Sequence, residues 1–257
     1  MEDSKNLFSL HEKVSIVTGA GRGLGYGIAR ALAGAGSDLI IVSRSTHELE
    51  HVSQEIMTET KQRVSSFSLD LTKDRDRERL VKAALKEFGR IDILVNNAGT
   101  SIRKPFLEIK QKDFDDIVKL NLRAVFFLTQ TVVKEMIKQK KGKIINIASL
   151  TSQIGISNVS VYAATKGGIA SLTKTLAVEL AGYNINVNAI APGYFKTKIT
   201  EAVFKDKDRY RWILSRIPVG RVGVPKDLAG TAIFLASSAS DYVTGQMVFV
   251  DGGWIAG

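Results

Sequence analysis

TGAGRGLG, residues 18–25, is the stretch that decides the fold, because it joins a strand pattern over 13–20 to a helical pattern over 26–36. Glycines after a strand allow a tight turn and let the backbone approach a pyrophosphate without a Cβ in the way. The helix that follows offers unpaired N–H groups and a partial positive charge to phosphates. The position of these glycines therefore favours a dinucleotide-binding loop over a simple tight turn.

Strand and helix patterns alternate along the rest of the chain. Further strands are predicted at 38–44, 63–70, 91–99, 143–149, 184–193 and 246–253. Further helices are predicted at 46–60, 76–89, 113–138, 161–180 and 226–237. Apolar strands separated by helices are typical of a parallel sheet that is covered on both faces. The predicted fold class is therefore α/β, a doubly wound Rossmann fold with a seven-stranded parallel sheet.

No segment of the sequence marks a domain boundary, since there are four prolines and no Pro/Gly/Ser-rich linker. We expect one domain over 1–257, with a dinucleotide-binding half at about 10–100 and a catalytic half at about 101–257. Residues 194–225 interrupt the alternation of strands and helices. Long insertions of this kind often cover a site, so this segment is predicted to be a substrate lid.

The composition excludes several classes of site. The chain has no cysteine, which excludes disulfides, thiolate chemistry and cysteine-ligated metals. It has no run of eighteen apolar residues, and residues 1–13 lack the apolar stretch of a secretory signal. We therefore expect a cytoplasmic protein with no metal and no membrane partner.

The net charge of +10 is unusual, but the basic residues are scattered along the chain. The one dense run, KQKKGK at 138–143, closes a predicted helix, where cations complement the helix dipole. This pattern favours a solvated surface, with steering of anionic ligands as the alternative. We expect no nucleic-acid partner.

The end of the second predicted strand indicates which nicotinamide cofactor is preferred. Enzymes that use NAD commonly place an acid there to bind the ribose hydroxyls, whereas this strand ends in Ser43 and Arg44. Arg44, together with Arg22 of the glycine-rich segment, is placed to pair with a 2′-phosphate. The sequence therefore predicts NADP(H) as the preferred cofactor, with NAD(H) as the alternative.

Two residues on one helix face and a third at a strand end suggest acid–base chemistry. Tyr162 and Lys166 are four positions apart on a predicted helix and share one face. A neighbouring ammonium favours the phenolate, so Tyr162 is a candidate to exchange a proton with an alcohol or a carbonyl. Ser149 ends the fifth predicted strand and is placed to polarise the same substrate oxygen, although it also fits a simple helix cap.

Asn121 lies in the middle of a predicted helix, where asparagine is a poor helix former. It is either a buried hydrogen-bonding residue or the holder of a water that relays protons to Lys166. We favour the second interpretation, because Tyr162 and Ser149 indicate a reactive site nearby.

With these motifs in order, the sequence resembles the short-chain dehydrogenase/reductase family over essentially its whole length. The matching motifs are TGAGRGLG (18–25), Asp70, NNAG (96–99), Asn121, Ser149, YAATK (162–166) and PG (192–193). The resemblance implies an NAD(P)-dependent enzyme that reversibly oxidises a secondary alcohol to a ketone. It also implies that the catalytic residues are Asn121, Ser149, Tyr162 and Lys166.

The resemblance further implies a set of cofactor contacts. The adenine is expected against Asp70 and Leu71, its ribose against residues 97–99, and the nicotinamide against residues 192, 193 and 197. The full set is Gly19, Gly21, Arg22, Gly23, Leu24, Gly25, Ser43, Arg44, Asp70, Leu71, Asn97, Ala98, Gly99, Tyr162, Lys166, Pro192, Gly193 and Thr197.

Within the family, segments 142–150, 186–204, 216–230 and 237–257 are similar to enzymes of sugar acids, namely gluconate 5-dehydrogenases and 2-deoxy-D-gluconate 3-dehydrogenases. This similarity implies a sugar-acid substrate, such as gluconate oxidised to 5-ketogluconate. The candidate substrate residues are Arg103, Lys104 and Tyr194, with Lys198 of the lid as a further cation. Arg103 and Lys104 would pair with the carboxylate, or else they lie in an exposed loop.

Family members are commonly homotetramers, so a D2 homotetramer is expected. Trp254, almost at the C-terminus, is expected to pack against another subunit. Three alternative functions stay open: a 3-oxoacyl-[acyl-carrier-protein] reductase, a reductase of neutral polyols or ketones, and a dinucleotide-binding regulator without catalysis. The intact set of Ser149, Tyr162 and Lys166 argues against the last.

Overall fold

A seven-stranded, wholly parallel sheet forms the centre of the computed structural model, which describes residues 7–197 and 200–257. Its strands are β1 (Val14–Thr18), β2 (Asp38–Ser43), β3 (Val64–Ser68), β4 (Ile93–Asn96), β5 (Gly142–Ile147), β6 (Ile185–Pro192) and β7 (Met247–Val250). They lie in the order β3-β2-β1-β4-β5-β6-β7, so the direction of winding changes between β1 and β4. Open parallel sheets bind ligands at the carboxyl ends of the strands at such a point. The predicted fold class is confirmed.

Helices cover the sheet. The helices described are α1 (Gly23–Gly34), α2 (Thr46–Thr60), α3 (Asp74–Phe88), α4 (Gln111–Val118), α5 (Ala124–Gln139), α6 (Ser160–Leu180), α7 (Glu201–Lys205), α8 (Lys207–Ser215) and α9 (Ala229–Ala236). Successive strand residues face opposite sides of a sheet, so neighbouring residues enter different cores. Val17 packs in the core with Ile28 of α1 and Leu235 of α9, whereas Ile16 packs with Leu80 of α3. The central strands β1, β2, β4, β5 and β6 are thus buried on both faces, as their nearly continuous apolar sequences predict, whereas the edge strands β3 and β7 are partly exposed.

The helix predicted over 113–138 is interrupted. A single π-helical turn, Lys119–Arg123, joins α4 to α5 and contains Asn121. Such turns are rare and occur often at functional sites. The predicted substrate lid, 194–225, contains the two short helices α7 and α8. Lys198 lies outside the described residues.

Trp254 is buried within its own chain, with 3% of its surface exposed. Its ring centroid lies 5.1 Å from that of Tyr194 and 5.6 Å from that of Trp212. The expectation that Trp254 packs against another subunit is therefore wrong, because lid residues of the same chain remove it from solvent. Among the described residues, no helix is long and apolar enough to cross a membrane.

Candidate active site

A cavity of about 690 Å³ opens at the carboxyl ends of the strands, around the point where β1 and β4 separate. All eighteen residues predicted to contact a dinucleotide line it, from Gly19 after β1 to Thr197 in the first part of the lid. The glycine loop, the end of β2, the loop after β3 and the NNAG segment after β4 are thus brought together around one space.

The glycine loop packs so closely on itself and on the segment after β4 that side chains at two of its positions would collide with neighbouring protein atoms. Gly19 has a φ of +65°, and a Cβ at this position would lie 2.9 Å from both Ala98 Cα and Asn97 Nδ2. A Cβ at Gly25 would collide with the carbonyl oxygen of Gly19. Because α1 begins at Gly23, its N-terminus points its unpaired N–H groups at this space. The loop therefore fits the pyrophosphate of a dinucleotide.

Asn97 holds the glycine loop against the end of β4. Its Nδ2 donates to the carbonyl oxygens of Thr18 at 2.8 Å and Gly19 at 3.1 Å. The hydroxyl of Thr18 in turn accepts from the backbone N–H groups of Asn97 and Ala98, both at 2.9 Å. The side chain of Asn97 thus fixes the shape of the cavity as well as lining it.

One end of the cavity carries two arginines and a carboxylate. Arg44 is exposed beside Ser43 at the end of β2, where the sequence predicts a 2′-phosphate contact. Arg22 Nη1 lies 2.5 Å from Oε1 of Glu48, which also lines the cavity. Sequence reasoning missed Glu48, although Ser45 and Glu48 have the spacing of a helix N-cap motif and Ser45 Oγ accepts from the Glu48 N–H at 3.3 Å.

Asp70, after β3, lies where an adenine contact is expected. Burial raises the pKa of its carboxyl group, but hydrogen bonds from Thr72 outweigh this effect and the pKa lies below its ordinary value. The Thr72 N–H and hydroxyl donate to Asp70 Oδ1 at 3.0 and 2.8 Å. Asp70 is therefore an ionised acceptor at the edge of the cavity.

Lys166 is buried beneath the cavity, with 6% of its surface exposed. Its Nζ donates to the carbonyl oxygen of Ile147, at the end of β5, at 2.5 Å. The same Nζ lies 5.7 Å from the ring centroid of Tyr162, one turn earlier on α6. Burial lowers the pKa of Lys166 to about 8. The predicted pairing of these two residues on one helix face thus holds in the structure.

Tyr162 is protonated at neutral pH. Burial raises the pKa of its hydroxyl, and a hydrogen bond with Ser149 opposes that rise without reversing it. The sequence predicts that the Lys166 ammonium favours the phenolate form of Tyr162. In the structure, burial has the larger effect on the pKa of Tyr162 and favours the protonated form. A protonated phenol is the form that can give a proton to a carbonyl oxygen.

Ser149 serves as a helix cap and remains available to the site. Its Oγ accepts from the Thr151 N–H at 3.2 Å, which caps a short 3₁₀ turn after β5. A hydroxyl has one donor and two acceptor positions, so this cap leaves its proton free to donate. The two interpretations of Ser149, cap and reactive group, are therefore compatible.

Asn121 does not line the cavity with the other three candidates for catalysis. Its side-chain amide is engaged by protein groups, since Oδ1 accepts from Thr100 N–H at 2.8 Å and Nδ2 donates to Thr100 O at 2.9 Å. Nδ2 also lies 3.3 Å from Thr165 Oγ1. The side chain is thus a buried hydrogen-bonding group, and a role in holding a water remains a prediction.

A second pocket of about 150 Å³ continues from the large cavity under the lid. Arg103 and Tyr194 line it, as predicted for substrate residues, together with Thr151, which sequence reasoning missed. Lys104 is not among the lining residues, and its Nζ pairs with Asp113 Oδ2 at 2.6 Å. The ammonium group of Lys104 is thus paired with a carboxylate of the same chain and does not line the pocket.

Known proteins resemble this chain along nearly its full length. A family model described as enoyl-(acyl carrier protein) reductase matches residues 19–255. A 2-dehydro-3-deoxy-D-gluconate 5-dehydrogenase of Dickeya dadantii is 47% identical over 98% of each chain. A 5-keto-D-gluconate 5-reductase of Escherichia coli is 40% identical over 97% of this chain and 98% of its own length. The structure of a gluconate 5-dehydrogenase from Burkholderia cenocepacia, in complex with NADP and tartrate, is 37% identical with a TM-score of 0.94 over 99% of each chain.

Proposed function

The chain belongs to the short-chain dehydrogenase/reductase family and is an oxidoreductase of CH–OH groups, and we propose that it uses NADP(H) to interconvert a secondary alcohol and a ketone at carbon 5 of a sugar acid. The observation that carries the proposal is the position of Ser149 and Tyr162, which line both the large cavity and the smaller pocket. A reaction centre at this junction lies between the space for a dinucleotide and the space for a small substrate.

In the direction of reduction, Tyr162 donates its proton to the ketone oxygen, and Ser149 donates a hydrogen bond to the same oxygen. NADPH, when bound along the large cavity, supplies the hydride that the ketone carbon receives. Lys166 places a cationic group under Tyr162, which stabilises the negative charge left on the phenol after the proton has moved. The reverse sequence of proton transfers serves oxidation of the alcohol.

The cofactor assignment rests on Arg44 and Arg22 at one end of the cavity. A guanidinium pairs with a phosphate through two parallel hydrogen bonds, which favours the 2′-phosphate of NADP(H) over the 2′-hydroxyl of NAD(H). NADP in the similar structure from Burkholderia cenocepacia supports this choice.

Two sugar acids are candidate substrates. The first pair is gluconate and 5-ketogluconate, supported by the Escherichia coli reductase and the Burkholderia cenocepacia enzyme. The second is 2-dehydro-3-deoxy-D-gluconate, favoured by the higher identity of the Dickeya dadantii enzyme, 47% against 40% for the reductase. The names of all three relatives place the reaction at carbon 5 of an acid derived from gluconate, and this shared chemistry is what we assign.

The test is NADPH and NADH oxidation with 5-ketogluconate, with neutral ketones and with an acetoacetyl thioester, beside NADP⁺ reduction with 2-dehydro-3-deoxy-D-gluconate. Fastest turnover with one of the two acids supports the proposal and chooses between them. Turnover confined to neutral ketones or to the thioester would retain the enzyme class and overturn the substrate. The thioester also tests the alternative function as a 3-oxoacyl-[acyl-carrier-protein] reductase.

We further propose that the chain forms a D2 homotetramer and is located in the cytoplasm. Its support is a set of apolar side chains that the single chain leaves exposed on the helices α4, α5 and α6. Phe114 is 48% exposed, Phe126 42% and Val178 82%. Sedimentation equilibrium tests the assembly, with the mass of four chains as the expected result and that of one chain as the contrary result.

A further inference from the structure

Lid helix α8 lies against the outer wall of the smaller pocket. Trp254 connects them, since its ring contacts Trp212 of α8 on one side and Tyr194 of the pocket wall on the other. Ile213 of α8 is fully buried in the same apolar cluster as Tyr194. The first turn of α8, which carries Arg209, is thereby held beside the pocket.

The positive charges of two arginines act on each other at this end of the pocket. Partial burial lowers the pKa of Arg103, and the nearby positive charge of Arg209 lowers it further. No ion pair joins Arg209 to a carboxylate within residues 7–197 and 200–257, because Asp206 caps the helix through the Arg209 N–H at 3.0 Å and Asp208 pairs with Arg211 at 2.5 Å. The two charges therefore repel each other without a compensating anion from these acids.

Buried polar atoms without hydrogen-bond partners lie on the wall of the smaller pocket and on the adjoining helix α8. They are Nε of Arg209, the hydroxyl of Tyr194 and Oγ1 of Thr151. Tyr194 lies close enough to Arg103 to raise its pKa, which opposes the effect of Arg209. Buried polar groups in native proteins are nearly always hydrogen-bonded, so unpartnered groups around a pocket indicate where a ligand supplies the partners.

We propose that Arg209 and Arg103, with the hydroxyl of Tyr194, form the binding site for the carboxylate of the substrate, while Thr151 contacts a substrate hydroxyl nearer to Ser149. This inference rests on the proposed function for the identity of the acid, but it assigns Arg209, on the lid, to recognition. A carboxylate relieves the repulsion between the two guanidinium groups and accepts their donors, which neutral ketoses cannot do. Arg209 is a specificity-determining residue, since it lies on lid helix α8 and is not among the residues that line the reaction centre at Ser149 and Tyr162.

The test is isothermal titration calorimetry of 5-ketogluconate binding to the full chain saturated with NADP⁺. Ketone and oxidised cofactor do not react with each other, so no turnover occurs during the measurement. Arg209→Gln removes the charge and keeps much of the side chain's bulk. Loss of a charged hydrogen bond corresponds to a rise of about 10- to 100-fold in Kd. Arg211→Gln is the matched control, because Arg211 lies two positions later on α8 and is exposed. Its Kd is expected to equal that of the unmodified chain, as is the Kd of both variants for NADP⁺.

An Arg209→Gln variant that binds 5-ketogluconate as tightly as the unmodified chain overturns the inference. If the unmodified chain reduces only neutral ketones, the proposed substrate fails, and tartrate then tests the carboxylate site as an inhibitor of that reduction. Inhibition that weakens at least tenfold in Arg209→Gln and not in Arg211→Gln upholds the carboxylate site without the proposed substrate. Equal inhibition in all three proteins, or inhibition in none, rejects it.

Discussion

Arg22 and Glu48 form an ion pair, with Nη1 and Oε1 2.5 Å apart, at the end of the large cavity where a 2′-phosphate is expected. A Cβ at Gly21 would lie 3.1 Å from Glu48 Cβ and 3.0 Å from Ser43 Oγ, so the carboxylate stands directly beside the glycine loop. This end of the cavity therefore holds one anion as well as the cations of Arg22 and Arg44. The carboxylate repels a phosphate, but it can accept a hydrogen bond from a ribose hydroxyl.

Glu48→Gln is expected to strengthen the preference for NADP(H). The substitution removes the negative charge and frees Arg22 for the 2′-phosphate, so KM for NADPH should fall several-fold and KM for NADH should rise. Steady-state kinetics with both cofactors measure the change. Glu50→Gln, on the exposed part of α2, is the control. An unchanged ratio of the two KM values would show that Glu48 serves only as a structural partner of Arg22.

Arg44→Asp is expected to move the preference the other way, toward NAD(H). An acid at the end of β2 repels the 2′-phosphate and accepts from the ribose hydroxyl, so the ratio of kcat/KM for NADPH to that for NADH should fall at least about tenfold. Arg79→Asp, exposed on α3, controls for the change in net charge. If Arg44→Asp and Arg79→Asp give the same ratio, Arg44 is an ordinary surface residue.

Lys166 should make the free energy of unfolding depend on pH. Its pKa is about 8 in the folded chain against an ordinary value of 10.5, so the unfolded chain binds more protons between these values. Stability therefore rises with pH through this window. Between pH 7 and 9.5 the free energy of unfolding of the unmodified chain should rise by about 2 kcal/mol relative to that of Lys166→Met. The raised pKa of Tyr162 destabilises the folded state only at higher pH and is present in both proteins.

Urea unfolding at several pH values measures this difference. The slope with pH is the relevant quantity, because Lys166→Met also leaves the carbonyl of Ile147 without its partner and lowers stability at every pH. Lys82→Met, exposed on α3, controls for removal of a lysine charge. Parallel slopes for the unmodified chain and Lys166→Met would contradict the assignment of a buried, easily deprotonated lysine.

Local sequence patterns predict the order of strands and helices, and α2 has the predicted bounds, Thr46–Thr60. These elements depend on apolar periodicity and on glycines at turns, which are local properties. The residues that line the large cavity are also predicted from the sequence, because they follow strand ends and strand ends meet at one edge of a parallel sheet, and their contacts with a cofactor stay a prediction. The π-helical turn at Lys119–Arg123 has no such signature, since the apolar spacing continues across it.

The residues that the sequence does not reveal are placed by long-range packing. Glu48 follows β2 by five positions, and only the approach of α2 to the glycine loop brings it to Arg22. The lid helix that carries Arg209 is held in place by the contact of Trp212 with Trp254, and the same contact helps to bury Trp254 without a second subunit. Lys104 does not line the pocket because its ammonium group forms an ion pair with Asp113, nine residues later. None of these contacts follows from spacing alone.

The most direct test is the rate of NADPH oxidation with 5-ketogluconate by Tyr162→Phe. The substitution removes only the hydroxyl, so NADPH binding, measured by fluorescence titration, should be unchanged, while kcat should fall by about 10²- to 10⁴-fold. Tyr183→Phe, at a tyrosine that is 49% exposed, should retain full activity. Loss of turnover with intact NADPH binding is the predicted result. A Tyr162→Phe enzyme that reduces the keto acid at the unmodified rate would contradict the assignment of Tyr162 as the proton donor.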